Sequence, residues 1–545
     1  MHGCDYYRLI QRCKEPKFGR IRAGDRDMTA RARSRRGGRA AKLEQVAQEA
    51  AEHSPAIWPG VEGGSYRPLS AADQERLHNT VLDLLEQVGL TQAIPSMIKL
   101  VSANGGRLTD EGRLLFPRAL VEDVIANCRK EFVLFGRGEG QDMEVSGTRV
   151  YVGTGGASPN MIDLETGLYR DAELKDLYDA ARLVDTLDNI HFFNRSLVAR
   201  DCPDALSLDV NTAYVSLAGT SKHIGMSFFQ PEHVYEITKM FDAVAGGEGE
   251  FRKRPFCTLL CCHVVPPMRF AEESCAALEA GVRMGYPVQL ISAGQAGATS
   301  PATLAGSVVQ AVAESLAGIV FCYLIDRDAK VIFAPKALVS DLRTGSMCGG
   351  SGEQGVLMAA AAQMGRYYGL VTSSMAGMTD AKTPDTQHGF EKCHGLALAA
   401  HAGANIITQG CGLQASLLGA AFESYVIDND MIGAVLRGVR GLEINEETLA
   451  AEVIETVVTG EGHYLGHDQT LARMKSDYYY PEVADRQSPN DWKDAGSLDI
   501  RERAREQARE VLRTHFPHHI PDEIDERIRA DFDILLPRSA MHSND

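Results

Sequence analysis

"LVTSSMAGMTDAKTPDTQHGFEKCHGLALAAHAGANIITQG", residues 370–410, reads as a short β-rich run, a polar hand-over, an alanine-rich helix and a second β-rich run. A strand, a covering helix and a parallel strand form the unit from which α/β sheets are built. The same alternation recurs from about Tyr151 onward. "IHFFNRSLVA", "HIGMSFF", "FCTLLCCHVV", "VQLISAG", "IVFCYLI", "KVIFAP", "LVTSSMAG" and "NIITQG" are eight candidate strands separated by helical patterns. In "AELKDLYDAARLVDTL", Leu174, Leu177, Tyr178, Ala181 and Val184 fall on one stripe, as in a helix covering a parallel sheet. Alternation repeated this often, without a G-x-G-x-x-G dinucleotide loop, predicts an α/β fold of the (β/α)8 TIM-barrel type.

Outward from this core the chain divides into four parts. Residues 1–42 include the basic, apolar-poor "TARARSRRGGRAAK" and read as a disordered leader. Residues 43–150 read as an N-terminal helical layer. Its helix "LSAADQERLHNTVLDLLEQVG" has Ser70 as N-cap, Leu77, Val81, Leu84, Leu85 and Val88 on one face, and Gly89 as its stop. Residues 151–515 hold the barrel with C-terminal helices, and residues 516–545 a tail.

The 545 residues carry a formal net charge of -17, which speaks against a general nucleic-acid or anionic-membrane surface. No apolar run reaches the roughly 18 residues of a membrane span, and no secretory signal is visible, so a cytoplasmic protein is expected. The 12 cysteines lack framework spacing. In "LLCCHV", adjacent Cys261 and Cys262 would point to opposite faces of a strand, so no metal site is expected there and the cluster reads as core.

Barrel enzymes work at the carboxyl ends of their strands, and candidate binding residues are read from those positions. These are His223, Phe228, Phe229, Ser292, Gly297, Lys382 and His388, with Glu353 and Asp380 as candidates for the chemistry. The rings of Phe228 and Phe229 suit a quaternary ammonium, which attracts ring faces and carboxylates but offers no N–H; burial alone also accounts for them. Glu353 opens a helix in "GGSGEQG", where a carboxylate either complements the helix dipole or faces the barrel mouth. No nucleophile elbow, P-loop or H-E-x-x-H motif occurs, so the chemistry falls to a cofactor, a partner, or binding and orientation.

"AGMTDAKTPDTQHGFEK", "PVQLISAGQAGATSPATLAG", "GSGEQG", "HAGANIITQG", "VIDNDM" and "DRQSPNDWKDAGS" together resemble the trimethylamine methyltransferase family. The likeness runs from about Leu69 to His515. It implies a (β/α)8 barrel that moves a methyl group from an amine to the cobalt of a corrinoid (cobalamin) carried, not tightly bound, by a partner protein, and a homo-oligomer. Founding members of that family carry pyrrolysine just before the "SDAK"-type motif, where Met378 or a neighbour stands here, so the resemblance adds Met378 to the candidates for the chemistry. The resemblance therefore implies a member acting on a quaternary or tertiary methylamine, with a quaternary amine such as glycine betaine ahead of trimethylamine. A betaine-like osmolyte-binding barrel without chemistry, or another TIM-barrel lyase or hydrolase, are the alternatives.

Overall fold

The computed structural model describes residues 61–460 and 462–542; the basic leader lies outside them. Eight parallel strands form the centre: β1 Arg149–Val152, β2 Phe192–Asn194, β3 His223–Met226, β4 Cys257–Cys261, β5 Val288–Ser292, β6 Val331–Pro335, β7 Ser373–Met375 and β8 Ile406–Thr408. β2 to β6 pair in chain order, with Ile224 opposite Cys257 and Val288 opposite Val331. β7 pairs with β8, and β8 with β1. Parallel bridges from Gly153 to Phe192 and from Phe333 to Thr372 close the ring, which leaves the barrel no free edge.

A helix follows each strand: α1 Leu174–Asp185, α2 Ala205–Gly219, α3 Pro231–Ala245, α4 Glu272–Met284, α5 Leu304–Ile325, α6 Gly352–Tyr367, α7 Thr386–His401 and α8 Phe422–Arg440. Strand residues alternate between two apolar layers, as the pleat requires. Val150, Val152, Phe193, Val331, Phe333 and Ile407 join the main core, which they share with the helices. Tyr151, Phe192, Ile332 and Ile406 face inward and form a second cluster with Val371, just before β7.

That inner cluster also contains Phe132, Leu134, Met143 and Val145. These belong to an antiparallel hairpin, Phe132–Leu134 with Met143–Val145, which stoppers the amino end of the barrel. The expected helical layer is thus mixed. Helices Ala71–Asp83, Pro95–Ala103 and Arg118–Asn127 are accompanied by short antiparallel ladders. Ser70 caps the first helix through a capping box with Asp73, and Gly89, at φ 59°, ends its last turn.

Two expectations are corrected. "IVFCYLI" is not a strand but the last third of α5, and the strand that completes the ring is β1. Every residue of α5 from Ser307 to Tyr323 is buried, so no polar period distinguishes helix from strand. α5 is also long and apolar enough to cross a membrane by length and composition, contrary to the expected absence of such a run, yet it is packed inside the shell. Residues 516–542 are packed as well: helix Asp522–Asp531 brings Asp525 to the Tyr214 hydroxyl, Arg529 and Arg538.

Candidate functional site at the carboxyl-end rim

The side chains just beyond the strands define the mouth. Along β6 and beyond it, Ile332, Ala334 and Lys336 share the inward face, and along β8, Ile406 and Thr408 do the same. Lys336 is buried and donates from Nζ to Thr408 Oγ1 at 2.6 Å. Burial pulls its pKa down to about 7. At the end of β4, Cys261 turns its thiol outward to the Ser274 carbonyl on α4, at 3.4 Å, so the next residue, Cys262, faces the other way and opens onto the mouth. Surrounding protein pushes the Cys262 thiol up, against the pull of the Lys336 and Arg195 charges. Arg195, following β2, has Nη1 buried without a hydrogen-bond partner, and burial lowers its pKa despite the charges of Asp209 and Cys262.

These three groups come from β2, β4 and β6, alternate strands that contribute to one layer in barrels of this kind. Beside them lies a recess of about 200 Å³ whose walls include Arg195, Phe228, Phe229, Leu260, Cys262 and Glu273. The two phenylalanines read from the sequence therefore do border a rim recess, in different ways. Phe228 is buried with its ring edge-on to Tyr286, centroids 5.9 Å apart, whereas Phe229 is half exposed.

The polar stretch after β7 has a different character from that expected. Met378 is buried in the main core. Asp380 Oδ1 accepts from Gly349 N at 2.9 Å and from Ser416 Oγ. Glu391 Oε2 takes Thr379 Oγ1 at 2.6 Å and Asp380 N at 2.8 Å. Asp385 caps α7 by accepting from His388 N. The His388 ring is buried between Asp428 Oδ1, at 3.0 Å, and Gln414 Nε2, at 2.6 Å. Lys382 is exposed, its Nζ folded back on the Asp380 carbonyl at 2.6 Å. Most of the polar crowd thus braces two loops, and the His388 ring is part of that brace.

Three further residues are placed plainly. His223 stands at the amino end of β3, its ring nitrogens engaged by the Phe135 carbonyl and Thr258 Oγ1, both at 2.8 Å; at the opposite end from the rim, it is removed from the candidate site. Ser292 does end β5 at the rim, but its hydroxyl points outward to the buried Glu314 carboxylate of α5. Gly297, at φ 86°, forms the turn after β5. Glu353 sits exposed in the first turn of α6, next to the Ser351 cap, at the rim but open to water.

Sequence reasoning missed Arg195, Cys262, Lys336 and the turn Ala415–Leu417. That turn holds three successive non-glycine residues at φ 48°, 49° and 80°. Left-handed backbone costs such residues roughly 1–2 kcal/mol each. Hydrogen bonds from Ala415 N to the Ala381 carbonyl and from Ser416 N to the Thr379 carbonyl, each 2.8 Å, hold it against the loop after β7. "FAPK" and "NRS" did carry a signal: each places a cation directly beyond a strand end.

A family profile described as trimethylamine methyltransferase (MTTB) matches residues 35–534. Trimethylamine methyltransferase MttB of Desulfitobacterium hafniense (strain DSM 10664 / DCB-2) is 30% identical over 447 residues, 82% of this chain and 89% of the relative. MttB of Methanosarcina thermophila is 32% identical over 432 residues, 78% and 88% of the two chains. Glycine betaine methyltransferase of Desulfitobacterium hafniense (strain Y51) is 27% identical over 440 residues, 81% and 91%. With most of its length matched and a closed eight-stranded barrel beneath the match, this chain belongs to the trimethylamine methyltransferase family.

Proposed function

We propose that this chain transfers a methyl group from a quaternary, glycine betaine-like amine to the cobalt of a corrinoid carried by a separate cytoplasmic protein. The observation that carries the reading is the chemistry of the rim. Its thiol, Cys262, is pushed away from the thiolate form, and Met378, at the place the family resemblance gives to pyrrolysine, is a buried thioether without charge or electrophile. A methyl acceptor supplied from outside fits such a mouth. So does a substrate whose nitrogen already bears the positive charge that makes a neutral tertiary amine the leaving group.

The rim loops also suit a visiting protein. Leu168, Phe229, Leu342 and Leu418 are exposed apolar side chains on the loops after β1, β3, β6 and β8, a distribution in keeping with intermittent docking. When bound, the corrinoid supplies a reduced cobalt as methyl acceptor. The chain's own part is to seat the amine, exclude water and hold one N–C bond pointing outward. The electron pair of that bond stays on nitrogen as the methyl leaves, so no proton transfer is needed. Orientation of this kind is worth roughly 7–11 kcal/mol in well-aligned systems.

The test is mass spectrometry of amine panels incubated with the full chain and reduced cobalamin. Dimethylglycine is expected to accumulate from glycine betaine faster than dimethylamine from trimethylamine. Equal or faster turnover of trimethylamine overturns the substrate reading. Measurable betaine affinity with no demethylated product, even with a corrinoid protein added, would make the barrel a binding protein.

A further inference from the structure

The mouth carries two cations that the fold leaves largely uncompensated. Lys336 Nζ has three protons to donate and spends one on Thr408 Oγ1. Cys262 is the titratable group whose charge bears on it, and that thiol is held in its neutral form. Arg195 feels the charge of Asp209, whose Oδ2 is committed to His233 Nδ1 at 2.7 Å and Phe229 N at 2.9 Å, while its Oδ1 is buried with no hydrogen bond to Arg195 or to any other group. Arg195 Nη1 remains without a partner. Buried cations in folded proteins are ordinarily paired, since an unpaired one loses its hydration for nothing in return. A buried Lys336 and a half-buried Arg195 whose Nη1 is buried and unpartnered, flanking one open cysteine on alternate strands of one barrel, mark a place prepared for an anion.

We propose that Lys336 and Arg195 together bind a carboxylate of the substrate, so that the enzyme selects zwitterionic methylated amines and rejects methylated amines lacking an acid group. This deepens the methyl-transfer reading and rests on it. A bare tetraalkylammonium would meet two like charges at the mouth, whereas a betaine brings the missing negative charge with it. The recess of about 200 Å³, which Arg195 and Glu273 wall and Lys336 does not, is small beside the roughly 300–1,000 Å³ of drug-sized pockets, a size that suits a compact zwitterion. Because burial holds Lys336 near pKa 7, the free protein is only partly protonated there at neutral pH. A carboxylate binds the protonated form, so its affinity falls as pH rises through 7 and beyond.

Calorimetric titration of the full chain with glycine betaine and with choline, its analogue without the acid group, tests the assignment. Lys336→Met is expected to weaken betaine at least tenfold at pH 6.5, leave choline unchanged or tighter, and flatten the pH dependence of betaine binding. Arg195→Gln should show the same selectivity, with Arg195→Lys recovering part of it. Denaturation midpoints confirm that each variant is folded, and the Arg195 pair carries the test if Lys336→Met is not. Equal losses for both ligands, or none for betaine, overturn the assignment. Carboxylate-selective binding without any methyl transfer would overturn only the reaction; demethylation with no preference for the acid group would overturn only the two-cation site.

Discussion

Lys392 Nζ lies 2.6 Å from Asp428 Oδ2, with both side chains fully buried, so α7 and α8 are joined by an ion pair that no water screens. Gly412 N, at 2.8 Å, and His388 fill the remaining positions around the carboxylate. Burial opposes ionisation of Asp428, but Lys392 and His388 outweigh it and hold its pKa below the usual range. Removing one partner strands the other. Lys392→Met is expected to cost about 3–5 kcal/mol in urea denaturation, and adding Asp428→Leu to recover a substantial part. Since the folded pKa of Asp428 is depressed, its stabilisation is present above the unfolded value near 4 and is lost as pH falls through the folded value. The Asp428-dependent part of stability should therefore vanish in acid.

At Lys336 it is the charged form that the fold disfavours. Its folded pKa, about 7, lies below the roughly 10.4 of an unfolded lysine. Between those values the unfolded chain holds a proton that the folded chain has released, so stability rises with pH across the window. Lys336→Met should be more stable than wild type at pH 7, with the gap narrowing towards pH 10. A gap that does not change with pH would show that the amine is not strained in the folded chain.

Gly377 has φ 85°, and a Cβ there would stand 2.8 Å from Gly410 Cα, where the loops after β7 and β8 cross. Gly377→Ala should cost at least about 1–3 kcal/mol from backbone strain, before any shift of the neighbouring loop. Gly389, in α7, has open space around its Cα. Gly389→Ala should gain up to about 1 kcal/mol, the ordinary helix preference. Thermal unfolding of the two variants reads both signs in one experiment.

Glu353→Gln is expected to change stability by no more than about 1 kcal/mol, the scale of a helix-dipole contact in water. Amine affinity should stay the same, because the carboxylate is exposed at the start of α6. A tenfold loss of methyl transfer with unchanged affinity would instead place Glu353 against the methyl acceptor as it docks.

Seven of the eight strand positions were legible because each barrel strand is a short apolar run ended by a small or polar residue. β1 escaped notice since "RVYV" is brief and follows a loop-rich stretch, and α5 was mistaken because a helix buried on all sides shows no period. The site was less legible than the fold. Asp380, Glu391 and His388 look alike in sequence whether they face a ligand or one another, and only their hydrogen-bond partners separate the cases. Lys336 stood just beyond the quoted run "KVIFAP" and Arg195 inside "IHFFNRSLVA", where one residue of register decides whether a cation enters the barrel.

The hairpin Phe132–Leu134 with Met143–Val145 fills one end of the barrel, so among the described residues the carboxyl-end rim is the doorway left open. Under the proposed reaction, an acceptor seated at the rim blocks the route of a small amine on either side of the chemical step. The amine must then enter first and its demethylated product depart last, after the acceptor has gone. The order of arrival and release is set by a stopper at the far end of the barrel, remote from every atom that reacts.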